Sequence, residues 1–109
     1  TAVSRVFKVS LGSWELVKVS APLNLNHAND LVYDAAHNRL VVSHCDVHPE
    51  RVSFLDPESL QLIGFRDIPQ KHYSLAYDAE KRIYVAGKSR TYDFALLDEE
   101  FTLITGKGR

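Results

Sequence analysis

The chain has 109 residues, of which 45% are hydrophobic and 25% charged, with 13 basic and 14 acidic side chains and a formal net charge of −1. That composition suits one globular unit with a single core and offers neither a basic footprint for nucleic acid nor a charge excess for an anionic membrane. No apolar run approaches the roughly 20 residues of a membrane span, and the single cysteine, Cys45, excludes an intrachain disulfide and a multi-cysteine zinc site.

Partial alternation over Ser4 to Val9 and clear alternation over Glu15 to Val19, separated by the turn residues Ser10-Leu11-Gly12-Ser13, predict an opening hairpin. Ala21 to His27 reads as a connector, in which Pro22 cannot donate to a ladder. Four strands follow at Asp30 to Tyr33, Arg39 to Ser43, Arg51 to Leu55 and Leu60 to Phe65, joined by a turn at Asp34 to Asn38, a loop at His44 to Glu50 and a turn at Asp56-Pro57-Glu58-Ser59. Four more are expected at Ser74 to Tyr77, Arg82 to Ala86, Tyr92 to Leu97 and Phe101 to Thr105. No segment sustains a 3.6-residue period, so helix should be nearly absent.

The second group of four strands repeats the first. Leu31-Val32-Tyr33-Asp34-Ala35 returns as Leu75-Ala76-Tyr77-Asp78-Ala79 at an offset of 44, and Asn38-Arg39-Leu40 matches Lys81-Arg82-Ile83 at 43. Phe54-Leu55-Asp56 matches Leu96-Leu97-Asp98 at 42, and Leu60 to Ile63 matches Phe101 to Ile104 at 41. A third copy of the latter half opens the chain, where Phe7-Lys8-Val9 leads to Trp14-Glu15-Leu16-Val17. A period of this length made of short alternating strands points to stacked four-stranded units that bury their faces against one another.

The motifs Leu31-Val32-Tyr33-Asp34 through Leu40-Val41-Val42-Ser43 and Leu75-Ala76-Tyr77-Asp78 through Ile83-Tyr84-Val85-Ala86-Gly87 resemble the opening of YVTN-type and NHL-like β-propeller blades. Val52 to Leu60 resembles their closing strand and turn. The resemblance implies an all-β fold of four-stranded antiparallel meanders, a partial β-propeller of about two and a half blades. Residues 1–26 would be the last two strands of a blade plus a connector, and residues 27–70 and 71–109 would each be a full blade. Since a closed propeller has about four to eight blades, the chain is expected to be a slice of a larger propeller, a view that the absence of any methionine favours. A slice exposes the apolar sides of its end blades, so self-association or completion by further blades is expected.

In such an arrangement the connector between blades and the loop between the second and third strands open on one face, because alternate connections return to the same sheet edge. His27, Asn29 and Asp30, then His44, Asp46 and His48, then His72 and Arg90, are therefore candidate ligand-binding residues on that face, with His37 on the opposite one. His44, Asp46 and His48 are also of the right types for a divalent transition metal. Their spacing is no zinc signature, and the plainer reading is a solvated polar loop whose substitution spares the fold. A Cys45–His nucleophile needs a lowered thiol pKa and an orienting group that the sequence does not display.

The remaining polar and aromatic candidates read as structural. Trp14 occupies the position of Leu60 and Phe101 and is expected in the core, while Tyr33 and Tyr77 are expected to pack between blades. Asp34, Asp56, Asp78 and Asp98 open tight turns where a carboxylate accepts backbone N–H groups. Arg39 and Arg82 are expected to be equivalent, each pairing with a turn carboxylate. There is no catalytic G-x-S-x-G and no N-x-S/T sequon. The expected function is a non-enzymatic binding or protein-interaction module with a protein or glycan partner, and no cofactor. The alternatives are part of a metal-dependent propeller hydrolase or lactonase, and a structural spacer in a surface protein. The resemblance favours a secreted or cell-surface location.

Overall fold

The computed structural model describes residues 3–25, 27–44, 50–68, 74–87 and 93–107. Alternating and β-branched runs become ten strands: β1 (Phe7–Val9), β2 (Leu16–Val19), β3 (Ala28–Asp34), β4 (Arg39–His44), β5 (Arg51–Leu55), β6 (Leu62–Asp67), β7 (Ser74–Asp78), β8 (Ile83–Gly87), β9 (Phe94–Leu97) and β10 (Leu103–Lys107). None of the described residues is helical. The strands form three antiparallel sheets, of two (β1-β2), four (β3-β4-β5-β6) and four (β7-β8-β9-β10) strands, each strand paired with its neighbour in sequence. Among the described residues no sheet closes on itself, and no helix is long and apolar enough to cross a membrane.

Several strands run further than their sequence pattern suggests, β3 and β4 among them. β3 takes in Asn29 and β4 takes in His44, because Ala28 pairs with His44 and the ladder continues across a register shift between Ala28 and Asp30. His44 is thus a buried strand residue, and the expectation that it sits in a solvated loop is corrected by backbone pairing that satisfies the peptide groups at that end.

The turns repeat as closely as the strands. Trp14, Leu60 and Phe101 all have left-handed backbones (φ 62°, 61° and 64°), as do Asn38 (49°) and Arg82 (57°). Each is the last loop residue of a hairpin, the position where a left-handed residue lets the loop rejoin the ladder. The opening aspartates satisfy the loop amides. Asp56 Oδ1 accepts from the Glu58 and Ser59 amides at 2.7 and 3.0 Å. Asp78 Oδ1 accepts from Glu80 and Lys81 at 3.0 Å each, and Asp98 Oδ1 from Glu100 and Thr102 at 2.9 Å each. Asp34 Oδ1 accepts from the His37 amide at 3.1 Å. The turn reading of all four aspartates holds.

The equivalence of Arg39 with Arg82 does not hold. Asp34 pairs with Arg39 and Asp78 with Ile83, so both loops have four residues and the 44-residue offset of Leu31 and Leu75 continues unbroken. Arg82 is the counterpart of Asn38, at the left-handed turn position, and Arg39 is the counterpart of Ile83 on the strand. The arginines lie one residue apart in the repeat and meet different partners.

Burial shows how the sheets stack. Val41 and Phe54 on one face of the middle sheet join Tyr84, Ala86, Ala95, Leu97 and Phe101 of the third in one cluster. Val42 and Leu55, the next residues along the same strands, point the other way and join Leu23 and Leu25 beside the first hairpin. Period-two alternation in a sheet covered on both sides makes the strand apolar throughout, as Leu40-Val41-Val42 is. Fully burying each such aliphatic side chain contributes about 1.5–3 kcal/mol over leaving it in water.

Trp14 departs from its expected place. Its equivalents Leu60 and Phe101 are each 2% exposed, whereas Trp14 is 76% exposed. Phe101 stacks on Tyr84 of its own sheet (ring centroids 4.4 Å) and points toward the middle sheet, where it meets Phe54 (5.8 Å). Trp14 carries the same backbone geometry on the first sheet, whose corresponding side no other described sheet covers. Tyr77 packs between the sheets as expected, and its counterpart Tyr33 is half exposed.

Candidate functional site

The chain offers polar side chains at two opposite ends of the middle sheet. At the end where β3 begins and β4 finishes, His27 and Asn29 are exposed, Asp30 is half buried and His44 is buried. His37 lies in the Asp34–Arg39 turn at the far end of the same strands, as alternating strand direction requires. Asp46, His48, His72 and Arg90, the other candidates for this face, lie outside the described residues, as do Cys45 and Lys88-Ser89.

Two described members of that set, Asp30 and His44, have structural duties. Asp30 Oδ1 accepts from the Leu31 amide and Oδ2 from the Leu75 amide, both at 2.9 Å, so the carboxylate ties β3 to β7 in the next sheet. His44 Nε2 lies 2.8 Å from Ser53 Oγ across the β4–β5 pair. Burial lowers the His44 pKa, outweighing the opposing effect of the Leu25 backbone, so the ring is held neutral near pH 7. His27 and Asn29 stand at the mouth of this end, and Asn29 and Asp30 line an open groove of about 510 Å³ between the first hairpin and the middle sheet. Arg5 and Ser4 line the opposite wall, and Val6, Leu25, Leu31 and Val42 give it an apolar floor. Arg5 Nη1 donates to the Ser20 carbonyl at 3.1 Å.

A denser polar cluster forms at the other end, between the middle and third sheets. Asp34, fully buried, receives three side-chain contacts on Oδ2: Tyr84 OH donates at 2.6 Å, Arg39 Nε donates at 3.0 Å and His37 Nδ1 lies at 2.9 Å. Glu99 Oε2 accepts from Tyr77 OH at 2.6 Å and from Arg82 Nε at 2.9 Å, while Arg82 Nη2 reaches Oε1 at 2.9 Å. His37 Nδ1 lies 3.8 Å from Glu99 Oε2 and links the two carboxylates. The Arg39 guanidinium sits 4.2 Å over the Phe54 ring and donates to the Glu99 carbonyl at 3.3 Å. Each sheet thus contributes a carboxylate, an arginine and hydroxyl or imidazole groups to one network.

Its electrostatics follow from those contacts. Burial would raise the Asp34 pKa, but hydrogen bonds from Tyr84, the His37 amide and Arg39 together outweigh it and hold the carboxyl below its ordinary value. Glu99 is lowered by the Arg82 and Tyr77 hydrogen bonds. Burial and the Glu99 hydrogen bond push the Tyr77 phenol up to about 12. Burial and Asp34 push Tyr84 up as well. At neutral pH both carboxylates are therefore ionised and both phenols protonated.

Asp34, His37 and Glu99 are a group of possible cation ligands, with their nearest atoms within 4.8 Å of one another. The donor set fits a cation poorly, because Asp34 Oδ2 already accepts hydrogen bonds from Tyr84 and Arg39, and the Arg39 guanidinium brings a fixed positive charge alongside. The contacts describe an inter-sheet lock, in which Asp34 is engaged by Tyr84 and Arg39 and Glu99 by Tyr77 and Arg82. Asp34 and Arg39 were legible as turn and pairing residues. Tyr84 and Glu99 were not, because their partners across the interface lie 50 and 60 positions away and no local spacing announces them.

Comparison with protein-family models gives no match to this chain, and comparison with curated proteins gives none either.

Proposed function

We propose that the chain is a non-enzymatic binding module made of propeller-type blades, a slice of a larger β-propeller that presents the end bearing His27, Asn29 and Asp30 to a protein or glycan. The observation that carries this reading is the open groove at that end, where Arg5, Asn29 and Asp30 frame an apolar floor of Val6, Leu25, Leu31 and Val42. A concave apolar surface with a few polar groups at its rim is the usual form of a recognition site. The repeat supports the propeller part, since the four-stranded meanders stack face to face and the first hairpin matches the latter half of each. The engagement of Asp34 Oδ2 by Tyr84 and Arg39 supports recognition over metal-assisted hydrolysis, because a cation there would compete with a hydroxyl donor and a fixed guanidinium charge.

Selection of displayed peptides and a glycan panel against the 109-residue chain tests the reading. Ligands are expected whose affinity falls at least tenfold when Arg5 and Asn29 are both changed to Ala, with the circular dichroism unchanged. Ligands indifferent to that change, or lactone turnover that depends on added zinc, manganese or calcium, would argue for another function.

A further inference from the structure

The two end sheets expose faces that are complementary by the chain's own repeat. Within the molecule, the interface between the middle and third sheets places Phe54 and Val52 of β5 against the third sheet's opposing face, which carries Ala95, Leu97 and Phe101. The positions matching Phe54 and Val52 on the third sheet are Leu96 and Phe94, on the side turned away from the middle sheet, where Phe94 is 37% exposed. The positions matching Ala95, Leu97 and Phe101 on the first hairpin are Phe7, Val9 and Trp14, which are 60%, 44% and 76% exposed. In the third sheet those three positions are 0–2% exposed, because the middle sheet covers them.

We propose that a second copy of this chain docks head to tail, the outer face of its third sheet covering the first hairpin. This inference rests on reading the chain as stacked repeat units. Leu96 of one copy takes the place that Phe54 holds inside the molecule, and Trp14 of the next takes the place of Phe101. The contact is heterologous, since the two surfaces differ, so it propagates from copy to copy until a ring closes or a chain of copies grows. The apolar faces supply the driving force, as burial of aromatic and aliphatic surface does in any sheet-on-sheet contact. For the 109-residue chain on its own the occupant is a second copy, because it carries both halves of an interface the fold already uses once.

A mixing experiment tests this. Trp14→Lys blocks the first face and Phe94→Lys the second, each at a residue exposed enough for the fold to tolerate it. Sedimentation velocity of the wild-type chain is expected to show concentration-dependent association, with each variant alone weakened at least tenfold. Mixed in equal amounts, the two variants should form a dimer that grows no further, since each keeps the face its partner lacks. A wild-type chain that remains monomeric at millimolar concentration, a single variant that still associates like wild type, or a mixture that stays monomeric overturns the proposal. If either lysine variant loses its β-sheet circular dichroism, Trp14→Ser and Phe94→Ser replace the pair under the same criteria. A monomeric wild type that still binds a ligand in the Arg5–Asn29 groove would sink head-to-tail docking and leave the binding-module reading standing; normal association without groove binding would do the reverse.

Discussion

Tyr84 donates its hydroxyl to Asp34 at 2.6 Å across the interface of two sheets, joining residues 50 positions apart. Asp34 ends the first strand of the middle sheet, and Tyr84 lies in the second strand of the next. With Arg39 on the same carboxylate oxygen, the bond turns a hydrophobic contact that is tolerant of sliding into one with a fixed register.

Removing the two partners should therefore have unequal consequences. Tyr84→Phe keeps the buried ring and leaves Asp34 with Arg39 and His37, so we expect a loss of about 1–2 kcal/mol. Asp34→Ala strands the Arg39 guanidinium and the Tyr84 hydroxyl together and removes the His37 amide acceptor, so the loss should be about 3–5 kcal/mol. Urea unfolding of the two variants decides the order, and equal losses would mean that Asp34 contributes nothing beyond the tyrosine bond.

Stability should have an acid limb in two stages and an alkaline limb. The lowered pKa of His44 means that the unfolded chain takes up its proton first as pH falls below about 6.5, so stability declines from there. Asp34, Glu99 and Asp56 are lowered in the fold, so their contribution is present above the unfolded carboxylate range near 4 and lost as pH falls through their folded values. Tyr77 and Tyr84 are raised, so their contribution is complete below about pH 10 and disappears as pH rises, toward about 12 for Tyr77. Urea midpoints measured from pH 3 to 11 should trace these limbs, and a His44→Gln variant should lose the one near neutrality.

Trp14 and Phe101 share one backbone geometry and differ in cover, so glycine separates the two effects. Trp14→Gly, measured at dilution, relieves a left-handed residue while freeing the unfolded chain, and the two should cancel to within about 0.5 kcal/mol. Phe101→Gly gives the same relief and removes a buried ring stacked on Tyr84, with an expected loss of about 3–5 kcal/mol. Similar losses in both would show that Trp14 is covered in the folded monomer.

His44 should behave as a core residue. His44→Ala opens a space beside Leu25 and leaves Ser53 without its partner, with an expected loss of about 1–3 kcal/mol in thermal or urea unfolding. A change below 0.5 kcal/mol would restore it to the exposed ligand set.

Much of this molecule is local, and the local part is legible in the residues. Short alternating or apolar runs bounded by turn residues mark the ten strands, the absence of a 3.6-residue period goes with no helix among the described residues, and Asp34, Asp56, Asp78 and Asp98 announce their turns because their carboxylates bind amides two to four residues away. The repeat also equates Trp14, Leu60 and Phe101 correctly, down to their left-handed backbones. Neighbouring sheets decided what those positions meet. Trp14 is exposed and Phe101 buried because cover belongs to the adjacent sheet and leaves no trace in the residues being covered. The register of the β3–β4 pair drew His44 out of a loop and into the interior, and a single position of slip in the repeat separated Arg39 from Arg82. The joining of Asp34 to Tyr84 and of Arg39 to Glu99 came from tertiary structure alone, since partners 50 and 60 residues apart meet only after the sheets have stacked, and a periodic pattern of apolar residues specifies that stacking without naming the polar groups it brings together.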